Sequence, residues 1–242
     1  MFAIAHLFIG TSVWVVFVCG VQDLSAFGTF LPGLRELYIC VQPSSDPTMG
    51  SFANVEKYFQ ECLQDLHQLH QLELAVPFRS SASLSTSLLR PLGQYASSTL
   101  TSLRLKQFVL EEGALLELLG LQGHLHTLKL SSHLCVFDLA PLCHLSCLTS
   151  LSCGNLNLGP DVEALGLEAI CGFPVPGSPL ADSLTHLDLF WNEHCSGALQ
   201  ESLGREFVQQ LILYLPKLTS LSLKNFRTCV SDEVGGCSLR VV

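Results

Sequence analysis

One spacing of leucines recurs along the chain and restricts its fold more than any other feature. The string L-x-x-L-x-L, with conservative replacements, occurs seven times. The copies are Leu34, Leu37, Ile39; Leu69, Leu72, Leu74; Leu100, Leu103, Leu105; Leu125, Leu128, Leu130; Leu148, Leu151, Cys153; Leu184, Leu187, Leu189; and Leu218, Leu221, Leu223. Their starts are 35, 31, 25, 23, 36 and 34 residues apart. In each copy the last two apolar residues are two positions apart, which puts them on one side of an extended strand and their neighbours on the other. Stacking such strands in parallel makes one apolar layer and one open face, and the connecting stretches must cover the apolar layer.

Several connections carry helical spacing. Phe52, Val55, Phe59, Leu63 and Leu66 predict a helix over 52–66, with Ser51 as its N-cap. Leu115, Leu118 and Leu119 predict another over 111–121, opened by Glu111 and Glu112. Two more are expected over 161–171, stopped by Gly172, and over 196–215. The run 172–179 carries Pro174, Pro176 and Pro179 and reads as an inserted loop, while the serine-rich stretch 80–87 reads as helix or loop within a repeat. Pro32, Pro77, Pro91, Pro141, Pro160 and Pro216 exclude one continuous coiled coil.

The repeated string resembles the leucine-rich-repeat family over residues 31–226, and the spacing is most similar to the long-period ribonuclease-inhibitor and F-box-associated intracellular type. The copy Leu184-Thr-His-Leu187-Asp-Leu189-Phe-Trp-Asn192 also carries the asparagine that the family places after the strand, and the copy at 148 has Asn155 one place early. The resemblance implies an α/β leucine-rich-repeat solenoid, with a curved parallel sheet on one face and helices and loops on the other. It also implies an adaptor or recognition role, as in the substrate-binding arms of ubiquitin ligases, although no F-box-like segment is identifiable.

The domain division expected is an apolar segment over 1–21, a leucine-rich-repeat domain of about seven repeats over 22–230, and a C-terminal tail over 231–242. Phe2 to Val21 holds no charged residue and reads either as a signal peptide cleaved after Gly20 or as a buried first repeat. Leaving it uncleaved would make a membrane anchor, the only membrane association expected. The eleven cysteines are an odd number and several replace apolar residues, so they read as buried free thiols rather than a disulfide framework. That usage favours a cytoplasmic chain, with a secreted or membrane-anchored one as the alternative. A formal charge of −9, from 12 Lys+Arg against 21 Asp+Glu, argues against a nucleic-acid partner.

Residues alternating with the leucines are expected to form the open, concave face. From these come the candidate partner-binding residues Tyr38, Glu73, Arg104, Lys106, Lys129, His186, Asp188, Phe190 and Lys224, joined by Trp191 beside Phe190, with Trp191, Phe190, Tyr38 and Arg104 as anchors. Chemistry finds weaker footing. His133, Cys135, Cys143, His144 and Cys147 supply zinc-type donors at loose spacing among core leucines, and His67 and His70 read as surface residues. No nucleophile elbow, Walker or dinucleotide-binding glycine motif is present. The expectation is a non-catalytic module that binds an unidentified partner protein, with no cofactor or metal and with a small-molecule ligand disfavoured.

Overall fold

The computed structural model describes residues 6–9, 12–18, 31–41, 52–75, 82–84, 86–96, 98–110, 113–121, 123–135, 139–157, 173, 175–191, 208–224 and 238–241. Seven strands begin two residues after the first leucine of each copy. They are β3 (Glu36–Val41), β4 (Gln71–Ala75), β6 (Ser102–Lys106), β8 (Thr127–Cys135), β9 (Ser150–Asn157), β10 (His186–Trp191) and β11 (Ser220–Lys224). They pair in parallel in sequence order, each leucine opposite the equivalent residue of its neighbour, as in Leu72↔Leu103 and Leu128↔Leu151. All 21 repeat positions are at most 4% exposed, so period-two alternation and burial coincide throughout the array. The chain is an α/β leucine-rich-repeat solenoid.

The sheet extends past these seven strands. From the apolar segment come β1 (His6–Ile9) and β2 (Ser12–Val18), which pair antiparallel with each other, and β2 then runs parallel to β3 with Val13↔Leu37 and Val15↔Ile39. The stretch expected as a C-terminal tail supplies β12 (Ser238–Val241), parallel to β11 with Leu239↔Leu221 and Val241↔Leu223. Among the described residues the sheet therefore holds ten strands in the order β1-β2-β3-β4-β6-β8-β9-β10-β11-β12. A separate parallel pair joins β5 (Ala82–Leu84) to β7 (Phe108–Leu110).

Covering the leucine side are α1 (Phe52–Asp65), α2 (Thr86–Tyr95) and two 3₁₀ helices, η1 (Ala114–Leu121) and η2 (Ala140–His144). Phe59, Leu63, Leu89, Leu92, Leu115, Leu118 and Leu142 belong to the same buried cluster as the strand leucines. The helix predicted over 111–121 is thus corrected to a 3₁₀ helix that starts after Gly113 in a left-handed conformation (φ +79°). With three residues per turn, Leu115, Leu118 and Leu121 line one edge of η1, and all three are buried. Of the helix predicted over 196–215, residues 208–214 are helical. Residues 196–207, Ser51, and the helix predicted over 161–171 with Gly172 lie outside the described residues, while 175–180, within the proline-rich stretch expected as an inserted loop, contain turns. Within the serine-rich stretch the chain forms β5 and then enters α2, which accommodates Pro91.

Two close fits lock the covering layer. α2 meets η1 at Gly93 and Gly120, where a Cβ built on Gly120 would lie 2.6 Å from the Gly93 Cα. Between β6 and β7, Gln107 adopts a left-handed φ of 63° and donates its N–H to the Ser131 carbonyl at 2.8 Å.

A candidate binding face on the open sheet

The second residue of each repeat forms the entrance to its strand and carries a ladder of shared carbonyls. From Arg35 to Thr185 each such carbonyl accepts two N–H groups from the next repeat; the Thr149 carbonyl, for instance, accepts from Thr185 at 2.9 Å and from His186 at 3.0 Å. Where the next second residue is threonine, its hydroxyl adds a third bond: Thr101 to His70, Thr149 to His126, Thr185 to Thr149 and Thr219 to Thr185, all at 3.0–3.1 Å. Histidine at this position turns back on its own chain instead. His70 Nδ1 lies 2.5 Å from the Gln68 carbonyl and His126 Nδ1 lies 2.6 Å from that of His124. A carbonyl only accepts, so in both rings Nδ1 carries the proton.

Parallel register arranges the outward residues in rows that cross the strands at about 4.8 Å per step. One row runs Tyr38, Glu73, Arg104, Lys129, Ser152, Asp188 and Ser222. β2 and β12 place Trp14 and Arg240 at the two ends of that row's register. A flanking row begins Cys40, Ala75, Lys106, Ser131 and Gly154; the register shifts after Leu189, and beyond it Phe190 stands opposite Lys224. Trp191 stands opposite Leu156, and His186 lies in the row opposite Ser150 and Ser220. All ten candidate residues therefore lie on paired strands of one sheet, within a span of seven strands.

The face is less uniformly exposed than alternation alone suggests. Cys40, Ala75 and Glu73 are buried, although their strand positions point away from the leucine layer. Glu73 is covered because it answers two cations: Arg104 Nη1 lies 3.6 Å from its Oε2, and the Lys106 ammonium contacts its Oε1 directly. The cations themselves stay open, with side chains 41% and 45% exposed. Tyr38, Lys129, Asp188 and Phe190 are half-buried and His186 is exposed. Burial, and then the negative charges of Cys40 and Glu73 when ionised, raise the Tyr38 phenol above its ordinary range.

Farther along, Ser152 donates to Asp188 at 3.4 Å. The Thr185 hydroxyl has one proton, which it gives to Thr149, so it accepts from His186 Nδ1 at 2.8 Å. Beneath Asp188, the Cys153 thiol fills a leucine position and is pushed up to about 12 by complete burial and by the nearby carboxylate. Five cysteines with described side chains are free thiols, four of them buried.

Three of the zinc-type donors, Cys143, His144 and Cys147, have described side chains, and these do not converge. Cys143 is buried and accepts the Val175 N–H at 3.4 Å, His144 is exposed, and the Cys147 thiol donates to the Gly123 carbonyl at 3.3 Å. No group of three metal-type donors forms among the described residues. His67 and His70 are both exposed at the junction of α1 and β4. Missed from sequence were the threonine ladder, whose signal was the recurring L-T-[SH]-L, and strand β12, whose signal was Leu239-x-Val241; β2 falls in the segment read as either a signal peptide or a buried first repeat.

No protein-family model matches the chain, and no curated protein does. Among solved structures, an internalin from Listeria monocytogenes aligns with 96% of this chain and 82% of its own, at 15% identity and a TM-score of 0.28. At so low a score, the architecture rests on the strand register itself.

Proposed function

We propose that the chain is a non-catalytic interaction module that holds a partner protein against its open sheet face, serving as an adaptor or substrate-recognition arm. The observation that carries this is the segregation of the two sheet faces. The helices pack into the leucine cluster, while the other face keeps in-register rows of charged, hydroxyl and aromatic residues with half-exposed side chains. Curved repeat sheets present such rows to partners because each strand adds one more row position at fixed spacing. Tyr38 and Phe190 supply the aromatic area near opposite ends of the candidate face. Affinity capture with the full chain tests this: Tyr38→Ala combined with Phe190→Ala should lose the proteins that the parent retains, and Lys57→Glu on α1 should keep them. Capture unchanged by the double substitution would refute the face.

A secreted or membrane-anchored chain is the rival, and it turns on residues 1–21. The register of β2 on β3 supports a chain that keeps this segment, because cleavage after Gly20 would remove both β1 and β2. A cytoplasmic location is proposed on that basis, because a segment paired into the sheet as β1 and β2 does not serve as a membrane-spanning anchor. Recovery from secreting cells of a protein whose mature N-terminus is Val21 would overturn it. No helix among the described residues is long and apolar enough to cross a membrane.

A further inference from the structure

The distribution of charge on the open face specifies more than the presence of a partner. The chain carries only 12 basic residues and a net charge of −9, yet three of those cations share two adjacent strands. Arg104 and Lys129 stand directly opposite each other in register, and Lys106 is two residues beyond Arg104 on the same side. Like charges in directly paired positions destabilise a sheet. Part of that cost is offset by Glu73, whose single carboxylate pairs with both Arg104 and Lys106. Lys129 is left without a carboxylate at ion-pair distance among the described residues. The next acidic residue in its row, Asp188, is two strands away, about 10 Å, and takes the Ser152 hydroxyl.

Three cations against one carboxylate thus leave a positive centre on a negative molecule. Small hydroxyl residues surround it: Ser102 and Thr127 in the row before, Ser150 and Ser152 on the next strand, all half-buried. None is large enough to screen the ammonium and guanidinium heads from a ligand, and each hydroxyl can donate to an oxygen anion. A guanidinium presents a planar fork that matches a carboxylate, and an ammonium adds a compact point charge beside it. A nucleic-acid backbone would need a longer track of cations and would meet the repulsion of the whole chain.

We propose that the Arg104–Lys106–Lys129 centre takes an acidic segment of the partner protein, with successive Asp or Glu side chains seated over β6 and β8. This rests on the interaction-module reading of the same face and names the chemistry of what it binds. The partner's carboxylates relieve the repulsion between Arg104 and Lys129 and complete the pairing that Glu73 begins. Long-range attraction from the centre also selects the acidic stretch of a partner from its neutral ones, since the rest of the protein repels it.

The full chain is titrated by fluorescence anisotropy against a short labelled Asp/Glu-rich peptide, its Asn/Gln counterpart and a single-stranded oligonucleotide of similar length. The acidic peptide should bind, the amide peptide should not, and binding should weaken as NaCl rises from about 50 to about 200 mM. Lys129→Glu should weaken the acidic peptide by about tenfold or more, and Lys57→Glu should not. Lys129 is the chosen site because replacing it breaks no ion pair among the described residues, and Lys129→Gln should give an intermediate loss with an unchanged circular dichroism spectrum. Equal binding of the acidic and amide peptides, tighter binding of the oligonucleotide, or equal losses from Lys57→Glu and Lys129→Glu would each overturn the proposal. Those outcomes leave the Tyr38/Phe190 capture result standing, whereas loss of the face as an interaction surface would show there first.

Discussion

Two glycines three residues apart in the chain should respond in opposite directions to the same added methyl group. A Cβ on Gly120 would lie 2.6 Å from the Gly93 Cα, 3.4 Å from its carbonyl carbon and 3.5 Å from its oxygen. Carbon atoms rest about 3.5–4.0 Å apart, so α2 and η1 would have to separate by about 1 Å. The obstacle is backbone, which cannot rotate away, and the flanking Leu92, Leu118 and Leu121 are fully buried, so separation also opens their packing. Gly120→Ala should therefore cost about 1–3 kcal/mol. At Gly123 a Cβ meets nothing within 4 Å, and Gly123→Ala should gain about 0.4–1 kcal/mol by restricting the unfolded chain. Gly93→Ala lies between, since its 3.1 Å contact with the Gly120 Cα opposes a helix-propensity gain of about 1 kcal/mol. Urea unfolding followed by circular dichroism gives the order. With a slope of about 1–3 kcal/mol per molar urea, Gly120→Ala and Gly123→Ala should differ in midpoint by about 0.5 M or more. Coincident midpoints would refute the close approach of α2 and η1.

Alkaline pH should act through Cys153. Its folded thiol holds a proton to about 12, against an ordinary value of 9.0, so between those limits the unfolded chain releases a proton that the folded chain retains. Stability is then intact below pH 9 and falls as pH rises towards 12, by up to about 4 kcal/mol. Urea midpoints measured from pH 8.5 upwards should fall less steeply in Cys153→Val, and parallel slopes would count against burial of the thiol. At Gln107 the left-handed backbone costs a side chain about 1–2 kcal/mol, which glycine avoids at an entropic cost of about 0.5–1 kcal/mol. Gln107→Gly should accordingly raise the urea midpoint slightly where Gln107→Ala does not, and a lowered midpoint in the glycine variant would show that the side chain itself is needed.

The apolar layer was readable from sequence because burial in a parallel sheet depends on a local period. Leu128 and Leu130 are two apart, and everything that follows for their side of β8 is contained in that spacing. Cys153 and Ile39 could be assigned despite their identity because five neighbouring copies supplied the frame. Glu73 could not be read the same way. Its strand position points outward, yet its carboxylate is covered by cations from the next strand, and that depends on which residues the register sets opposite one another. The 3₁₀ form of η1 was hidden for a related reason: Leu115, Leu118 and Leu119 fit an α-helix as well as Leu115, Leu118 and Leu121 fit the tighter one. Strand β12 escaped because it lacks the leading leucine and keeps only the final alternating pair, and the same lack left the segment of β2 open between a signal peptide and a buried first repeat. Within the candidate face, residue identity came from sequence, but the neighbours that set each side chain's charge and exposure came from the stacking.

The shared carbonyls at the strand entrances make the array open like a zipper. The Thr185 carbonyl receives two amides and a hydroxyl from the following repeat, while the Thr185 amide and hydroxyl depend on Thr149 in the preceding one. Melting an interior repeat therefore strips donors from its own acceptor and acceptors from its successor's donors, whereas a terminal repeat breaks contacts on one side only. Unfolding should progress inward from either end, and amide exchange should be slowest at the middle rungs. Arg104 and Lys129 flank one of those rungs, so the strands that carry the proposed contact are among the last to loosen.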